Sequence, residues 1–531
     1  MQMDFCLLKQ KRQSFFIQLR KEGSQLRFQF LYSSISSCHN VIISVRLRNV
    51  LHEKKKFSKI EAERIYYMEE TGTFPQLTGT SKSQYQTMTQ TPVPRLITRL
   101  AVPTVVSMLV SSLYNMADTF FVARIGTSAG AAVGVVFSAM AVIQAVGFTV
   151  GMGSGSILSR LLGQQNTEAG NRVVSVGFFM AVFLGLCIAV PGLLFLDPFM
   201  LFLGSTETIL PFAKSYAVWI LTGAPLMCGS FFLNNILRAE GRAAFSMIGL
   251  TAGGFLNILL DPLLIFGFGM GTAGAGAATL VSQAVSFCIL LQFFLRKKSA
   301  SRISVRCFPP ARDVLPQAGR IIANGFPSLC RQGLSSISVV MLNRRAALYG
   351  DAVVAGFAVV LRITMFVASV MIGIGQGFTP VAGFNYGAGK YSRVRAAYRF
   401  TLKSGFLLLA AASAVLFLFA PQVIAVFSGQ REVVAAGTAI LRWQCAALPF
   451  HAGIVTTNML MQATGKTVTA AFLSSNRQGS FFLPLVLVLP AVFGLRGLEA
   501  VQGVSDFLSF LAAIPFAVSF LRKLKQKEDR N

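Results

Sequence analysis

A carboxylate stands near the end of a long apolar segment, in the stretch LYNMADTFFV at positions 113–122. This acid is Asp118, and an ionised group at the centre of a membrane helix costs roughly 2.5–3.5 kcal/mol. Acids in such segments mark ion or substrate sites, or they pair with another polar group. Asp118 could also cap the helix end or pair with Arg124, and the sequence alone leaves these alternatives open.

Other polar residues share a helix face with this acid. Ser107, Ser111 and either Tyr114 or Asn115 precede Asp118, at successive intervals of three or four positions. Such intervals place side chains on one stripe of a helix. The stripe predicts that this face points into the protein and not into lipid.

Two later apolar segments repeat the pattern. Asn257 and Asp261 are four positions apart and precede Pro262, which cannot donate a backbone hydrogen bond. Thr279 and Gln283 are also four apart, beside the small residues TAGAGAAT that let helices approach closely. Asp261 could be only a helix-end residue, and Asn257 an ordinary interhelical hydrogen-bonding group.

Together these side chains offer carboxylate, amide and hydroxyl oxygens. Such oxygens suit a proton or a small hard cation such as sodium. Two carboxylates close together in a medium of low dielectric constant cannot both ionise easily, so the pair could take up and release a proton. The sequence therefore predicts a cation site on Asp118 and Asp261, which would be metal ligands if the cation is sodium.

The composition places these residues in a polytopic membrane protein. Of 531 residues, 53% are hydrophobic and 13% charged, too apolar for an ordinary soluble domain. The net charge of +28 does not indicate nucleic-acid binding, because beyond the N-terminal leader Lys and Arg lie mainly in short loops. The eight cysteines are scattered and show no CxxC spacing, so we expect neither a metal site nor disulfides there.

Twelve apolar runs are long enough to cross about 30 Å of hydrocarbon. We name them spans 1 to 12, at residues 96–121, 130–154, 173–196, 212–236, 245–268, 273–295, 319–346, 352–376, 396–420, 435–460, 469–492 and 497–521. The loops after even-numbered spans are basic, which predicts that both termini are cytoplasmic in a cell (plasma or inner) membrane. The predicted divisions are a leader (1–94), a first lobe (95–298), an inter-lobe loop (299–318), a second lobe (319–521) and a basic tail (522–531).

The N-terminal segment 1–67 resists this scheme. It contains neither a span-length apolar run nor a small-residue cleavage site, so it does not resemble a signal peptide. A basic amphipathic arm is one explanation, and translation upstream of an internal start at Met68 is the other. We assign no function to this segment.

The chain repeats itself at a constant offset of 224 in the numbering. This shift superposes Pro103 on Pro327, Gly126 on Gly350, Pro225 on Pro449, Asn234 on Asn458 and Gly241 on Gly465. A two-residue gap would also lay GMGSGS (151–156) over GIGQGF (373–378), although glycine matches alone carry little weight. Six spans per repeat give both halves one orientation, which predicts two six-helix lobes related by a pseudo-two-fold axis along the membrane normal.

Several stretches together resemble one transporter family. AVPTVVSMLVSSLYNMADTFFVARIG, LLGQQNTEAGNR, NNILRAEGRAAFSM and NILLDPLLIFGFGMGTAGAGAAT are similar to the multidrug and toxic-compound extrusion (MATE) family. The resemblance covers residues 95–522 and implies an all-α protein that exports amphipathic, often cationic compounds by alternating access. The resemblance also implies a first-lobe site for the coupling cation, with these residues: Asp118, Asn257, Asp261 and Thr279, with Tyr216 and Asn234 nearby.

The second lobe departs from some relatives because its spans 7 and 10 contain no acid. Span 7 has Arg331 and Gln332 instead, and Asp506 in span 12 is the only deep acid of this lobe. Asp506 could pair with Arg331 or another base, or it could take part in coupling. Arg331, Gln332, Asp506 and Gln283 are therefore secondary candidates.

Two other functional classes fit the sequence less well than efflux. A membrane enzyme would need an acidic metal cluster or a His/Asp pair within the spans, and neither occurs; the sequence also lacks a GxxxxGK[ST] motif for ATP. A flippase of lipid-linked saccharides remains the alternative if Arg331, Arg344 and Arg362 converge to hold pyrophosphate. We expect a monomer in lipid, with small amphipathic organic substrates, no nucleic acid and no cofactor besides the coupling ion.

Overall fold

The computed structural model describes residues 79–296 and 298–530. The segment 1–67 and the alternative start at Met68 therefore lie outside the described residues. Within the described part every regular element is helical, and ten helices are long and apolar enough to cross a membrane. The predicted all-α polytopic class is confirmed.

Spans 1 to 6 correspond to the six long helices of the first lobe, which are preceded by one short helix and interrupted by another. In chain order the elements are α1 Gly79–Gln90, α2 Val93–Ala123, α3 Thr127–Gly163, α4 Thr167–Leu194, α5 Leu196–Phe202, α6 Leu210–Ala239, α7 Ala243–Pro262 and α8 Gly271–Leu295. A π-helical turn, Leu263–Gly267, continues α7 beyond Pro262. Helices α1 and α5 are too short to cross a bilayer.

The second lobe contains more interrupted helices. Its elements are α9 Ala311–Ala346, α10 Asp351–Gly387, α11 Tyr391–Leu418, α12 Ala420–Ala425, α13 Arg431–Ala447, α14 His451–Ala463, α15 Thr467–Ser475 and α16 Phe482–Glu528. A 3-10 turn, Leu448–Phe450, joins α13 to α14, and a π-helical turn, Asn476–Ser480, joins α15 to α16. Short 3-10 turns also occur at Val305–Cys307 and Ala347–Tyr349.

The ten apolar helices and the twelve predicted spans differ at two places. Helix α9 is long enough to cross a membrane, but it carries too many polar residues to count among the ten apolar helices. Residues 467–528 rank as one apolar segment, although the backbone leaves the helical conformation at Gly494, with φ 60° and ψ −140°. Glycine adopts that left-handed φ without a Cβ clash. Including α9 and dividing the last segment at Gly494 gives the twelve spans.

The internal repeat is visible in matching elements of the two lobes. Helices α3 and α10 each contain 37 residues, and α4 and α11 each contain 28. The amide of Asn234 donates to the Ser246 carbonyl at 3.2 Å, and that of Asn458 donates to the Ala470 carbonyl at 2.7 Å. The two donors, and likewise the two acceptors, differ by the repeat offset, so the repeat extends to single hydrogen bonds.

The two-residue gap that aligned the glycine runs is wrong. Helices α3 and α10 begin at 127 and 351 and end at 163 and 387, so the offset stays at 224 throughout. Gly153 then corresponds to Gly377, and both lie against the other lobe: an added Cβ would overlap the Ile321 carbonyl in one case and lie 2.7 Å from Ala101 in the other. Gly153 and Gly377, whose matches carried little weight in the sequence, therefore lie at the contact between the lobes.

The lobes also touch where α3 and α10 end. A Cβ added at Gly163 would overlap the carbonyl oxygen of Phe384, and one added at Gly387 would overlap that of Arg160. These two contacts are related by the repeat, because the numbers of Arg160 and Phe384 also differ by the repeat offset. We call this region the closed end.

Polar contacts reinforce the closed end. Arg238 of the first lobe donates to Gln376 of the second, and Arg160 donates to the Asn324 amide oxygen at 3.0 Å. Helix α1 lies here as well, since Lys390 donates to its Thr89 carbonyl at 3.2 Å. Opening the lobes at this end requires that these bonds break.

Alanine at Gly163 should lower thermal stability in detergent. Alanine usually stabilises an exposed helix position relative to glycine by up to about 1 kcal/mol, but here its Cβ would lie 3.0 Å from the Ala388 nitrogen and overlap the Phe384 carbonyl. Overpacking of this kind costs about 1–3 kcal/mol. Gly134→Ala is the matched control, because a Cβ there meets no atom within 4 Å. Equal melting temperatures for both variants would contradict the tight contact.

Candidate functional site

Five polar residues from four helices meet inside the first lobe. We name them the first-lobe acid cluster: Asp118 of α2, Tyr216 of α6, Asn257 and Asp261 of α7, and Thr279 of α8. All five are buried, from 0% exposed for Asp261 to 9% for Asp118. The inward-facing stripe predicted for α2 agrees with this arrangement, since Ser107 and Tyr114 are buried too.

Asp118 is held by a tyrosine and not by an arginine. The Tyr216 hydroxyl donates to Asp118 Oδ2 at 3.1 Å. Arg124, the alternative partner, is exposed and lies over the Phe120 ring at 4.4 Å. A buried carboxylate accepting one hydroxyl proton keeps a second oxygen for another partner.

Asp261 is connected to the neighbouring helix through an amide. Asn257 Nδ2 donates to Asp261 Oδ1 at 3.1 Å and lies 3.4 Å from Thr279 Oγ1. The spacing of four positions within α7 places amide and acid on one face, as predicted. Asp261 stands in the last turn of α7, where Pro262 and the π-helical turn follow. The amide therefore bridges α7 to α8.

Small residues bring these helices together. A Cβ at Gly253 would lie 2.9 Å from Ser286 of α8, and a Cβ at Gly254 would lie 3.3 Å from the Tyr114 ring of α2. Close approach at small residues is the usual way in which membrane helices pack. These two glycines set the distances of α7 to both neighbours.

The cluster contains more hydrogen-bond acceptors than donors. Three buried oxygens accept no hydrogen bond from any described residue: Asp118 Oδ1, Asp261 Oδ2 and Asn257 Oδ1. Two carboxylates in one buried cluster repel each other when both are ionised. A buried charge without a counterion is strongly unfavourable, so this arrangement calls for a positive partner. A proton on a carboxylate or a small cation between the oxygens meets that requirement.

Asn234 does not belong to this site, so the expected position near the cluster is wrong. Asn234 lies five helical turns after Tyr216 on α6, which corresponds to about 27 Å along a helix. Its amide instead holds the turn between α6 and α7 through the Ser246 carbonyl. Gln283 lies one turn beyond Thr279 and shares a small pocket with Asn257. Gln283 thus borders the cluster.

Asp506 has a base as its partner, and that base is Arg477. Arg477 donates to the two carboxylate oxygens at 2.8 and 3.2 Å, and Gln502 donates to one of them at 2.8 Å. Arg331 and Gln332 line a cavity beside this pair. Arg477 is a functional candidate that was not predicted, although a lone cation in the apolar run of span 11 is a usable signal in the sequence.

No site of another kind is visible in the residues described. They contain no group of three or more His, Cys, Asp or Glu that could hold a metal ion. The six cysteines among them are free. The acid cluster of the first lobe and the cavity of the second therefore remain as candidate sites.

Comparison with known proteins decides the family. The MatE family model matches residues 103–263 and 326–488, more than half of the chain. The chain belongs to the MatE family. Each match lies within one of the two lobes, and the starting points of the matches differ by close to the repeat offset. As a MatE protein the chain is a multi-pass membrane transporter and not an enzyme.

Curated relatives match the MatE region over most of their length. Multidrug export protein MepA of Staphylococcus aureus (strain NCTC 8325 / PS 47) is 26% identical over 427 residues, which cover 80% of this chain and 93% of MepA. MepA of Staphylococcus saprophyticus is 26% identical over 416 residues, which cover 78% and 91%. The matched region is thus nearly the whole of each relative.

Solved MatE structures share the fold. A crystal structure of MATE in complex with MaL6 has a TM-score of 0.79 at 27% identity and covers 83% of this chain and 99% of that one. An outward-facing multidrug resistance MATE family transporter of the MOP superfamily has a TM-score of 0.78 at 27% identity, with coverage of 85% and 99%. The predicted two-lobe helical fold is confirmed.

Proposed function

We propose that this chain is an antiporter that exports small amphipathic organic compounds, cationic ones among them, in exchange for H+ or Na+. The observation that carries the proposal is the acceptor-rich first-lobe acid cluster, with three unpartnered oxygens around two carboxylates. Such a site favours reversible binding of a cation, because no Lys or Arg among the described residues pairs with either carboxylate. MepA is named a multidrug export protein, and this supports the export of several compounds.

The cluster can couple cation binding to movement of helices. A cation offsets the repulsion between Asp118 and Asp261, which stand on α2 and α7, and so favours a closer approach of these helices. Helix α2 also contacts the second lobe, because a Cβ at Gly377 would lie 2.7 Å from Ala101 and the Ser112 and Ser369 hydroxyls lie 3.4 Å apart. A shift of α2 would therefore reach the lobe interface.

The orientation expected for this cycle rests on basic residues near the closed end. Arg160 and Arg172 flank the short loop after α3, and Lys390 lies in the loop after α10. If those loops are cytoplasmic, both termini are cytoplasmic and the lobes separate towards the outside. The lobe divisions at 95–298 and 319–521 agree with this scheme. A cation entering from outside would then reach the cluster before the closed end opens.

The flippase alternative receives less support from the side chains. Arg344 and Arg362 are exposed and do not line the second-lobe cavity. Arg331 and Arg477 do, but Asp506 already pairs with Arg477. Recognition of pyrophosphate usually needs several converging cations, and Arg331 is a single unpaired guanidinium.

Expression in a pump-deficient host should protect cells from several unrelated apolar cations. An acid site for the coupling ion does not restrict the cargo, and apolar helix faces accept many shapes. The measurement is the inhibitory concentration for each compound of a panel, compared with a host carrying the same vector without the gene. Protection against a single compound only would contradict the proposed breadth, and protection against none would contradict export.

A further inference from the structure

A cavity in the second lobe has the opposite polarity to the first-lobe acid cluster. It encloses about 1230 Å³ of space, its mouth included. Its polar lining includes Arg331, Gln332, Gln444, His451, Arg477 and Asp506. Ser112 of α2 also lines it, so the cavity borders the interface between the lobes. We call it the second-lobe cavity.

Arg331 is the unpaired charge of this cavity. Its Nη2 lies 3.9 Å from the Met152 sulfur, a weak acceptor, and no ion pair of Arg331 is found among the described residues. Arg477 differs, because it uses two nitrogens for the carboxylate of Asp506. An arginine within a membrane span normally pairs with an acid or binds an ion or substrate. The free guanidinium leaves the cavity with a net positive charge.

Two buried nitrogen atoms without partners point to a polar ligand as well. Gln444 Nε2 is buried and has no hydrogen-bond partner in the part of the chain that the structure describes. His451 is 3% exposed, and its Nδ1 has no partner there either. Leaving a buried polar atom unpaired costs about 1–3 kcal/mol, so a ligand with acceptor oxygens would relieve this penalty.

We propose that the second-lobe cavity binds the carboxylate of an amphipathic substrate, with Arg331 as its anchor. The apolar side chains of Leu342, Leu361 and Phe482 line the same cavity and suit the substrate's hydrophobic body. The preferred cargo is then a zwitterion, whose acid is held in the second lobe while the coupling cation occupies the first. This inference rests on the proposed export function and names its substrate class.

A matched pair of probes tests the assignment. Ciprofloxacin carries a carboxylate beside an ammonium group, whereas its ethyl ester is a cation of nearly the same shape. Binding to purified full-length protein in detergent, measured by equilibrium dialysis, should be tighter for the free acid. Arg331→Gln should weaken binding of the acid by about tenfold or more, because a charge-assisted hydrogen bond is lost, and change the ester by less than about twofold.

Two further variants keep the test decisive. Arg344→Gln removes an exposed arginine from the same helix and should leave both probes unchanged. Arg331→Lys keeps the charge but loses the planar fork, so it should bind the acid several-fold more weakly and the ester as before; it carries the test if the Gln variant does not fold. A wild type without preference for the acid, or an equal loss of both probes, would overturn the inference.

Binding in detergent requires no gradient, so this result is independent of coupling. Gradient-driven flux of the two probes in proteoliposomes reports on the proposed export function instead. Acid-selective binding without flux would leave the carboxylate site standing and count against export. Flux of the ester without acid-selective binding would support export and overturn the carboxylate site.

Discussion

Replacing Asp118 by asparagine should abolish resistance in cells that depend on this transporter. The amide keeps the size of the side chain, and its oxygen can still accept a hydrogen bond from the Tyr216 hydroxyl. The protein should therefore fold and reach the membrane. It cannot carry a proton or the negative charge that a small cation needs, so coupling should be lost. The measurement is the inhibitory concentration of an exported compound at matched amounts of membrane protein.

Asp197→Asn is the control for removing an acid. Asp197 is half-exposed and pairs with Lys214 at 2.6 Å, and exposed pairs contribute about 0–1 kcal/mol. We expect this variant to retain resistance, whereas Asp261→Asn should behave like Asp118→Asn. Undiminished resistance in the Asp118 variant would remove the acid cluster from the mechanism.

Efflux should persist without sodium and slow sharply when the pH gradient is collapsed. A carboxylate accepts a proton with little demand on geometry, whereas sodium needs several oxygens at defined distances. Each pH unit supplies about 1.36 kcal/mol, and each charge crossing about 100 mV supplies about 2.3 kcal/mol. The measurement is substrate flux in energised vesicles, with sodium replaced by choline in one series and an ionophore collapsing the pH gradient in the other.

The opposite dependence would identify sodium as the coupling ion. Flux that stops on removal of sodium at a constant pH gradient would contradict proton coupling. The same cluster could still hold the ion, because Asp118, Asp261 and Asn257 each offer an oxygen without a partner among the described residues. The vesicle experiment therefore separates the identity of the ion from the location of its site.

Much of the site followed from spacing. The interval of four positions between Asn257 and Asp261 predicted a shared helix face, and the structure joins them at 3.1 Å. The stripe on α2 predicted that Asp118 points inwards, and it lies 9% exposed. Periodicity is informative here because one helix places both groups. It could not show that the acids of α2 and α7 converge, since that depends on packing between helices.

The errors have similar causes. Asn234 was expected near the cluster by resemblance, but one helix cannot place residues five turns apart at the same depth. Arg477 is the lone cation of span 11 and so a candidate partner for Asp506, but only the packing of the π-helical turn that contains it against α16 shows that the two side chains meet. Gly153 and Gly377 carried little weight in the sequence because glycine is common in membrane helices. Only the assembled lobes show that a larger side chain at either position would collide with the other lobe.

The most direct test of the central claim compares two acids in proteoliposomes. Wild type, Asp118→Asn and Asp506→Asn are reconstituted, and substrate flux is measured with and without an imposed cation gradient. The account predicts that Asp118→Asn loses all response to the gradient, whereas Asp506→Asn, whose acid already pairs with Arg477, keeps a response even if its total flux falls. A gradient response that survives in Asp118→Asn and disappears in Asp506→Asn would place coupling in the second lobe and contradict the account.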